Sequence, residues 1–142
     1  MNSHREAILQ AATVLLTGAT PAGAQVFRSR MEALRREELP AIVVRPGAEE
    51  VEHLARGIAR RSLDLHIEVH ARGTPADSMA DPVVTAAHAV LMADATLGGR
   101  LARLIEKGMA VDFADGDDTA VMVTTTYMAV YATTPQDITT PI

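Results

Sequence analysis

One segment without a charged side chain constrains the fold more than any other part of the sequence. No charge occurs between Asp118 and Asp137, whereas valine, methionine and tyrosine recur over residues 120–132. Alternate residues of a strand point to opposite faces, so neither face of this segment would carry a charge. Such a strand lies at the centre of a sheet, or its outer face contacts another subunit. The pattern favours the central position and leaves the subunit contact open.

The length and composition are typical of a single domain without disulfide bonds. The chain has 142 residues, no cysteine and a net charge of -5. The absence of cysteine excludes thiolate metal sites and fits a reducing compartment. The acidic balance argues against a general phosphate-binding surface. No apolar run approaches the roughly 20 residues of a membrane helix, and the N-terminus lacks a signal-peptide core, so we expect an intracellular protein without a membrane partner.

Two helices are predicted. Ser3 and Glu6 form a capping-box pattern before apolar residues at helical spacing, which predicts a first helix that ends near Thr17. Asp81-Pro82 is typical of an N-cap followed by a first helical turn, so a second helix is expected to begin there. An earlier start near Pro75 is the alternative.

Strands are predicted between and after the helices. A short strand is expected over residues 25–30, and a β-branched strand over 41–44 is expected to end at Pro46, because proline cannot donate to a ladder. Strict alternation over residues 62–71 predicts a strand with one buried face, and residues 101–113 predict a further strand. The expected fold is an α+β two-layer sandwich, in which two helices pack on one face of a mixed or antiparallel sheet.

The domain is expected to span residues 1–132. Residues 133–142 contain Pro135 and Pro141 and lack a hydrophobic period, so they are predicted to form a flexible C-terminal tail.

Residues 47–61 have a split charge pattern. Glutamates come first and arginines follow, at Glu49, Glu50, Glu52, Arg56, Arg60 and Arg61. Either an amphipathic helix or a long flexible hairpin arm would suit this pattern. Gly57 would weaken a helix interior, which favours the arm.

The pattern His66-x-Glu68-x-His70 is the strongest enzyme-like feature. On a strand these side chains share one face, but same-face neighbours lie roughly 7 Å apart, so the two imidazoles would not converge on one ion. A solvated polar face is therefore favoured over a metal site. No Ser, His and Asp arrangement has the sequence context of a nucleophile, so we expect no enzymatic activity, no catalytic residue and no cofactor.

A cluster of aspartates separates the last two long strands. It consists of Asp112, Asp115, Asp117 and Asp118. Clustered carboxylates suit hard cations, but the full twelve-residue calcium loop is absent. A hairpin turn with solvated acids is therefore favoured over a divalent metal site.

An ordered series of short motifs spans nearly the whole chain. It runs through His4, Arg5, Ala7, Ile8, Leu16, Val26, Phe27, Arg30, residues 39–44, Gly47, residues 49–52, Arg61, Leu63, Leu65, residues 67–69, residues 97–99, Asp112, Phe113, Gly116, Asp117 and residues 121–131. In this order and spacing the sequence resembles the tail terminator family of long-tailed bacteriophages, which includes the minor tail protein U of phage lambda and prophage relatives. Asp81-Pro82 departs from the pattern.

The resemblance implies a non-enzymatic structural protein of the phage virion. Such a protein forms a homo-oligomeric ring, a hexamer, on the finished end of the tail tube, stops tube polymerisation and presents the head-joining surface. The implied partners are other copies of the chain, the tail tube protein and the head-tail connector protein, with phage DNA only as passing cargo. The implied location is the virion tail, reached through the host cytoplasm during assembly.

The resemblance also suggests roles for the two charged segments. The charged residues of the arm would contact a neighbouring subunit or the tube. The acidic turn would face the lumen, where negative walls repel DNA phosphates. Two alternatives stay open, namely a head-tail adaptor or connector and, less favoured, a small cytosolic metal- or ligand-binding enzyme that uses the face of His66, Glu68 and His70.

Overall fold

The computed structural model describes residues 1–114 and 117–142 and has an α+β fold. The described residues form two helices and one curled six-stranded mixed sheet. The elements are α1 (His4–Leu16), β1 (Val26–Arg28), β2 (Ala41–Leu54), β3 (Ile58–Arg72), α2 (Ala76–Ala93), β4 (Arg103–Ala114), β5 (Asp117–Thr134) and β6 (Asp137–Pro141), with a short 3-10 helix at Arg36–Glu38. The predicted α+β class is confirmed.

The uncharged segment occupies the centre of the sheet. The strand order is β1-β2-β3-β5-β4, and β6 pairs with the end of β5. Only the β1–β2 pair is parallel among the pairs of described residues, and the others are antiparallel. β5 therefore has hydrogen-bonded neighbours on both sides, which confirms the central position predicted for it.

One hydrophobic core lies between the helices and the sheet. Its fully buried members include Ile8, Leu9, Ala12 and Leu16 of α1, Val83, Ala87 and Leu91 of α2, and Leu63, Leu65, Ile67, Val69 and Tyr127 of the sheet. The β3 residues in this core are the alternate apolar positions that the sequence predicts. Full burial of each such side chain stabilises the fold by about 1.5–3 kcal/mol relative to exposure.

The first helix is confirmed, but the predicted start of the second is wrong. The Ser3 hydroxyl accepts a hydrogen bond from the Glu6 amide at 3.2 Å, as an N-cap should. α2 begins at Ala76 directly after Pro75, so the alternative start is correct and Asp81-Pro82 lies inside the helix. An interior proline costs about 3 kcal/mol. Ala76 and Ala80 ahead of it are buried, so the apolar stripe of the helix continues on both sides of Pro82.

β2 does not end at Pro46, contrary to the prediction. It continues to Leu54 and pairs with β3 in an antiparallel hairpin, with a register shift between Pro46 and Glu49. The irregularity places the proline where the ladder is interrupted, so its missing amide donor is tolerated. The hairpin turns at Arg56 and Gly57, whose φ angles of 67° and 70° lie in the left-handed region that glycine favours. The hairpin is confirmed over the helical alternative.

Residues 133–142 form regular structure, contrary to the prediction of a flexible tail. β5 continues to Thr134 rather than ending at 132, and β6 pairs back onto it, with Thr133 opposite Pro141. The Ile142 amide donates to the Ala132 carbonyl at 2.8 Å. Backbone pairing with a neighbouring strand forms this hairpin, so its lack of hydrophobic period did not prevent regular structure.

Candidate assembly surfaces

The six charged residues predicted as an interface all lie on the β2–β3 hairpin, residues 47–61, which we call the arm. β5 pairs with β3 as far as Ala59, which is opposite Thr133, so the base of the arm is three-stranded. Only the tip around the turn extends past β5. Leu54 at the tip is 38% exposed, and Val51, which lies opposite Arg61 in the three-stranded part, is 42% exposed. The arm thus offers apolar as well as charged surface.

Two of the six predicted interface residues belong to a buried network at the arm base. The Glu49 side chain is 9% exposed, accepts a hydrogen bond from Arg5 at 2.9 Å and lies 3.5 Å from the Arg61 guanidinium. The Tyr131 hydroxyl donates a short hydrogen bond to the same carboxylate. Arg61 also donates to Thr133 at 2.9 Å. The network ties α1 and β5 to the arm, so Glu49 and Arg61 act within the subunit.

Burial of the Tyr131 ring raises the pKa of its hydroxyl well above the ordinary tyrosine value, and the neighbouring Glu49 carboxylate raises that pKa further. The His4 ring lies against the Tyr131 ring with 5.2 Å between centroids. His4 also hydrogen-bonds the Arg100 carbonyl at 2.8 Å. This role of His4 could not be predicted from the sequence, because its partners are distant in the chain.

The other four charged arm residues face solvent. Arg60 forms two hydrogen bonds of 3.1 Å with Glu52 directly across the hairpin. Glu50 and Arg56 are exposed and form no ion pair within the described part of the chain. An exposed pair such as Glu52–Arg60 contributes only about 0–1 kcal/mol. Glu50 and Arg56 are therefore the arm charges most available to another chain.

The acidic turn is described only at its start. Asp112 is exposed near the end of β4 and forms no ion pair with any described residue. Asp115 lies outside the described residues, and the side chains of Asp117 and Asp118 lie outside them as well. The lumen-facing role of this turn stays a prediction.

The three candidate metal ligands lie on the open face of the sheet, opposite the helices. His66 contacts the Thr126 hydroxyl at 2.8 Å, and His70 contacts Glu68 at 3.1 Å. Glu68 also accepts from Arg45 at 2.7 Å. The structure thus brings His70 and Glu68 together, whereas His66 has a different partner. Among the described residues no group of three His, Cys, Asp or Glu side chains could hold a metal ion.

β4 carries an exposed apolar strip that was not predicted from the sequence. Met109, Val111 and Phe113, which we call the β4 strip, are 60%, 45% and 46% exposed. They pair with Thr125, Val123 and Val121 of β5 and so face the helix side of the sheet. α2 packs on β3 and β5 and leaves this strip uncovered. The alternation of the three with small or polar neighbours was the signal that could have identified the strip.

A cleft lies between the segment 29–39 and the nearby ends of β3 and β5. We call it the arginine cleft; it has a volume of about 380 Å³, and its lining includes Met31, Arg36, Val43, Arg45 and Arg72. One wall is fixed because Arg30 donates two hydrogen bonds to the Glu38 carboxylate, at 2.7 and 2.9 Å. This bidentate pairing lowers the pKa of Glu38 from 4.5 to about 2.

The sequence matches no protein-family model and no curated protein. The likeness to the tail terminator family therefore rests on the order of motifs along the chain. Within the described residues, no helix is both long and apolar enough to span a bilayer.

Proposed function

We propose that this protein is a non-enzymatic assembly protein of the tail terminator type. In this role, copies of the chain form a ring on the end of a phage tail tube. The ring blocks further addition of tube subunits and presents a surface to the head-tail connector.

The β4 strip is the observation that carries the proposal. β4 is an edge strand of 12 residues, and natural proteins usually shorten, charge or cover such edges to prevent association. Here three large apolar side chains are exposed on it, because α2 packs on β3 and β5 instead. Clustered exposed apolar groups mark interaction sites, so this edge is suited to contact another protein.

The arm supplies a second contact of a different kind. Its base is fixed to the body by Glu49, Arg61 and Tyr131. Exposed apolar side chains lie along the arm at Val51 and Leu54. Glu50 at the base and Arg56 at the tip are exposed and form no ion pair among the described residues. A rigid base with an adaptable tip suits a contact with a neighbouring subunit or with the tube. Loops and hairpin tips on rigid scaffolds commonly serve this purpose.

The test is a tube-elongation assay with the tail tube protein from the same phage or prophage. Purified terminator is added to growing tubes, and tube length is followed by electron microscopy. We expect elongation to stop at substoichiometric amounts, because only tube ends need to be occupied. Tubes that continue to lengthen at an unchanged rate would contradict the proposal. A head-tail adaptor would give that result and would bind the connector instead.

The test variant is Phe113→Asp, since it places a charge on the exposed β4 strip without altering the buried core. We expect this variant to remain folded by circular dichroism and to lose most of the capping activity. The matched control is Val14→Asp, because Val14 lies on α1 away from the strip and is 74% exposed. Val14→Asp should keep wild-type capping.

A further inference from the structure

We infer that the ring contact joins the β4 strip of one copy to the arginine cleft of the next copy. This rests on the proposed function only in requiring that copies of the chain associate. It names two surfaces other than the arm, which the sequence pattern had favoured.

The β4 strip lies within an acidic edge of the molecule. Asp112 is exposed on the same edge strand, on the face of β4 opposite the strip. Asp77 and Asp81 of α2 are exposed without an ion pair among the described residues. His88 lies on the side of α2 that faces β4, because its ring is 3.7 Å from the Glu106 carboxylate of β4. Asp81 and Asp77 precede His88 by about two and three helical turns, so they share its side. α2 has no lysine or arginine to balance them.

The arginine cleft has the complementary character. Met31 at its rim is 87% exposed, and Leu34 and Leu39 in its lining are partly exposed. Arg36 is exposed and forms no ion pair within the described part of the chain. The Arg30–Glu38 pair holds the wall in place. The cleft therefore combines apolar contact area with an available positive charge.

The β4 strip and the arginine cleft lie at the same level along the strand direction of the sheet. Phe113 pairs with Val121, which pairs with Ala71, and both Val121 and Ala71 line the cleft. The β4 strip is on the β4 edge, whereas the segment 29–39 joins β1 to β2 on the opposite side. A contact between two different patches at equal height can close into a ring by rotation.

The charges favour this head-to-tail contact over a two-fold dimer. A two-fold contact of the acidic edge with itself would bring the acidic residues Asp77, Asp81 and Asp112 of one copy close to those of the other. Like charges placed opposite each other across an interface disfavour that association. Contact with Arg36 of the next copy removes this repulsion, so the second copy would bind through the cleft.

Cross-linking tests the contact directly, because the chain has no cysteine. The variants Phe113→Cys and Met31→Cys are prepared separately, mixed and treated with a short bismaleimide. We expect a linked dimer that contains one copy of each variant. Phe113→Cys mixed with Leu54→Cys, which has its thiol at the exposed arm tip, is the matched control and should give little product.

Charge reversal provides a second measurement. Arg36→Glu should raise the concentration at which half of the protein is oligomeric by about tenfold, which corresponds to about 1.4 kcal/mol. Combining Arg36→Glu with Asp112→Arg in one chain should recover part of this loss. Glu50→Arg on the arm should leave the midpoint unchanged. Oligomers are followed by native mass spectrometry, with circular dichroism to confirm folding.

The outcomes separate this inference from the proposed function. If wild-type protein forms rings and caps tubes, but no link between positions 31 and 113 forms and Arg36→Glu assembles normally, the inference is wrong and the terminator role stands. If the wild-type chain stays monomeric both in solution and on tube ends, the inference and the ring proposal both fail. A 31–113 link with charge-swap recovery supports the inference, whatever the capping assay gives.

Discussion

Removal of the negative charge at Glu49 should destabilise the protein more than any comparable change on the arm. The Glu49 carboxylate is 9% exposed and contacts Arg5, Arg61 and the Tyr131 hydroxyl. Glu49→Gln keeps the size of the side chain but leaves the Arg61 guanidinium, itself 11% exposed, without a negative partner. An unpaired charge in such a site is costly, because little water reaches it.

The contacts allow the size of the effect to be approximated. The pair with Arg5 is 42% exposed on the arginine side, so its loss should cost only about 0–1 kcal/mol. The glutamine oxygen can still accept from the Tyr131 hydroxyl, and the change from a charged to a neutral acceptor should cost about 1 kcal/mol. The broken pair with Arg61 should cost about 1–2 kcal/mol, less than the roughly 3–5 of a fully buried pair, because the pair is partly solvated. The expected total is about 2–4 kcal/mol.

Urea unfolding followed by circular dichroism measures this difference. With a slope of about 2 kcal/mol per molar, the middle of the usual range, the midpoint should fall by roughly 1–2 M. Glu50→Gln is the matched control, because Glu50 is the next residue, is exposed and has no ion pair among the described residues. Its free energy of unfolding should stay within about 0.5 kcal/mol of wild type. Equal midpoints for the two variants would refute the buried-network interpretation.

Further predictions concern local packing and two ionisable groups. Gly47→Ala should destabilise by about 1–3 kcal/mol, because an added Cβ would overlap a β3 histidine ring, whereas Gly108→Ala meets open space and should be tolerated; urea midpoints distinguish the two. The folded-state pKa of Glu38 lies below its unfolded value, so the stability from its pairing with Arg30 is present above pH 4.5 and lost toward pH 2. Glu38→Gln should therefore be less stable than wild type at pH 7 and nearly equal to it at pH 2. Burial raises the pKa of Tyr127 from 10 to about 12, with the nearby carboxylate adding to it, so stability from this group is present below pH 10 and lost toward pH 12. Absorbance of tyrosinate should stay low until that range, and a transition near pH 10 in the folded protein would contradict the burial.

The local sequence pattern was sufficient to predict a strand or helix where one physical signal dominated. The long uncharged segment predicted the central strand β5, because both of its faces lacked charge. Alternation over residues 62–71 predicted the buried face of β3. The start of α2 was misjudged because Asp81-Pro82 is a strong local start signal. The apolar positions before it, Ala76 and Ala80, are too small to stand out in sequence, yet their burial extends the helix.

The interface residues were harder to assign, because their roles depend on partners far away in the chain. Glu49 and Tyr131 are 82 positions apart, and the glutamates of the arm look equivalent in sequence. Glu49 is buried because it faces Arg5 of α1 and Tyr131 of β5, whereas Glu50, the next residue of the strand, points to the opposite face. The β4 strip was missed for a related reason, since its exposure depends on where α2 packs.

The most direct test of the terminator role is the length of tails assembled without this protein. Deletion of its gene from an inducible phage or prophage, followed by electron microscopy of the tails, measures that length distribution. The expected result is tails that are abnormally long or widely varied in length and that lack heads, with normal length restored by the wild-type gene. Tails of uniform, normal length in the deletion strain would contradict the account.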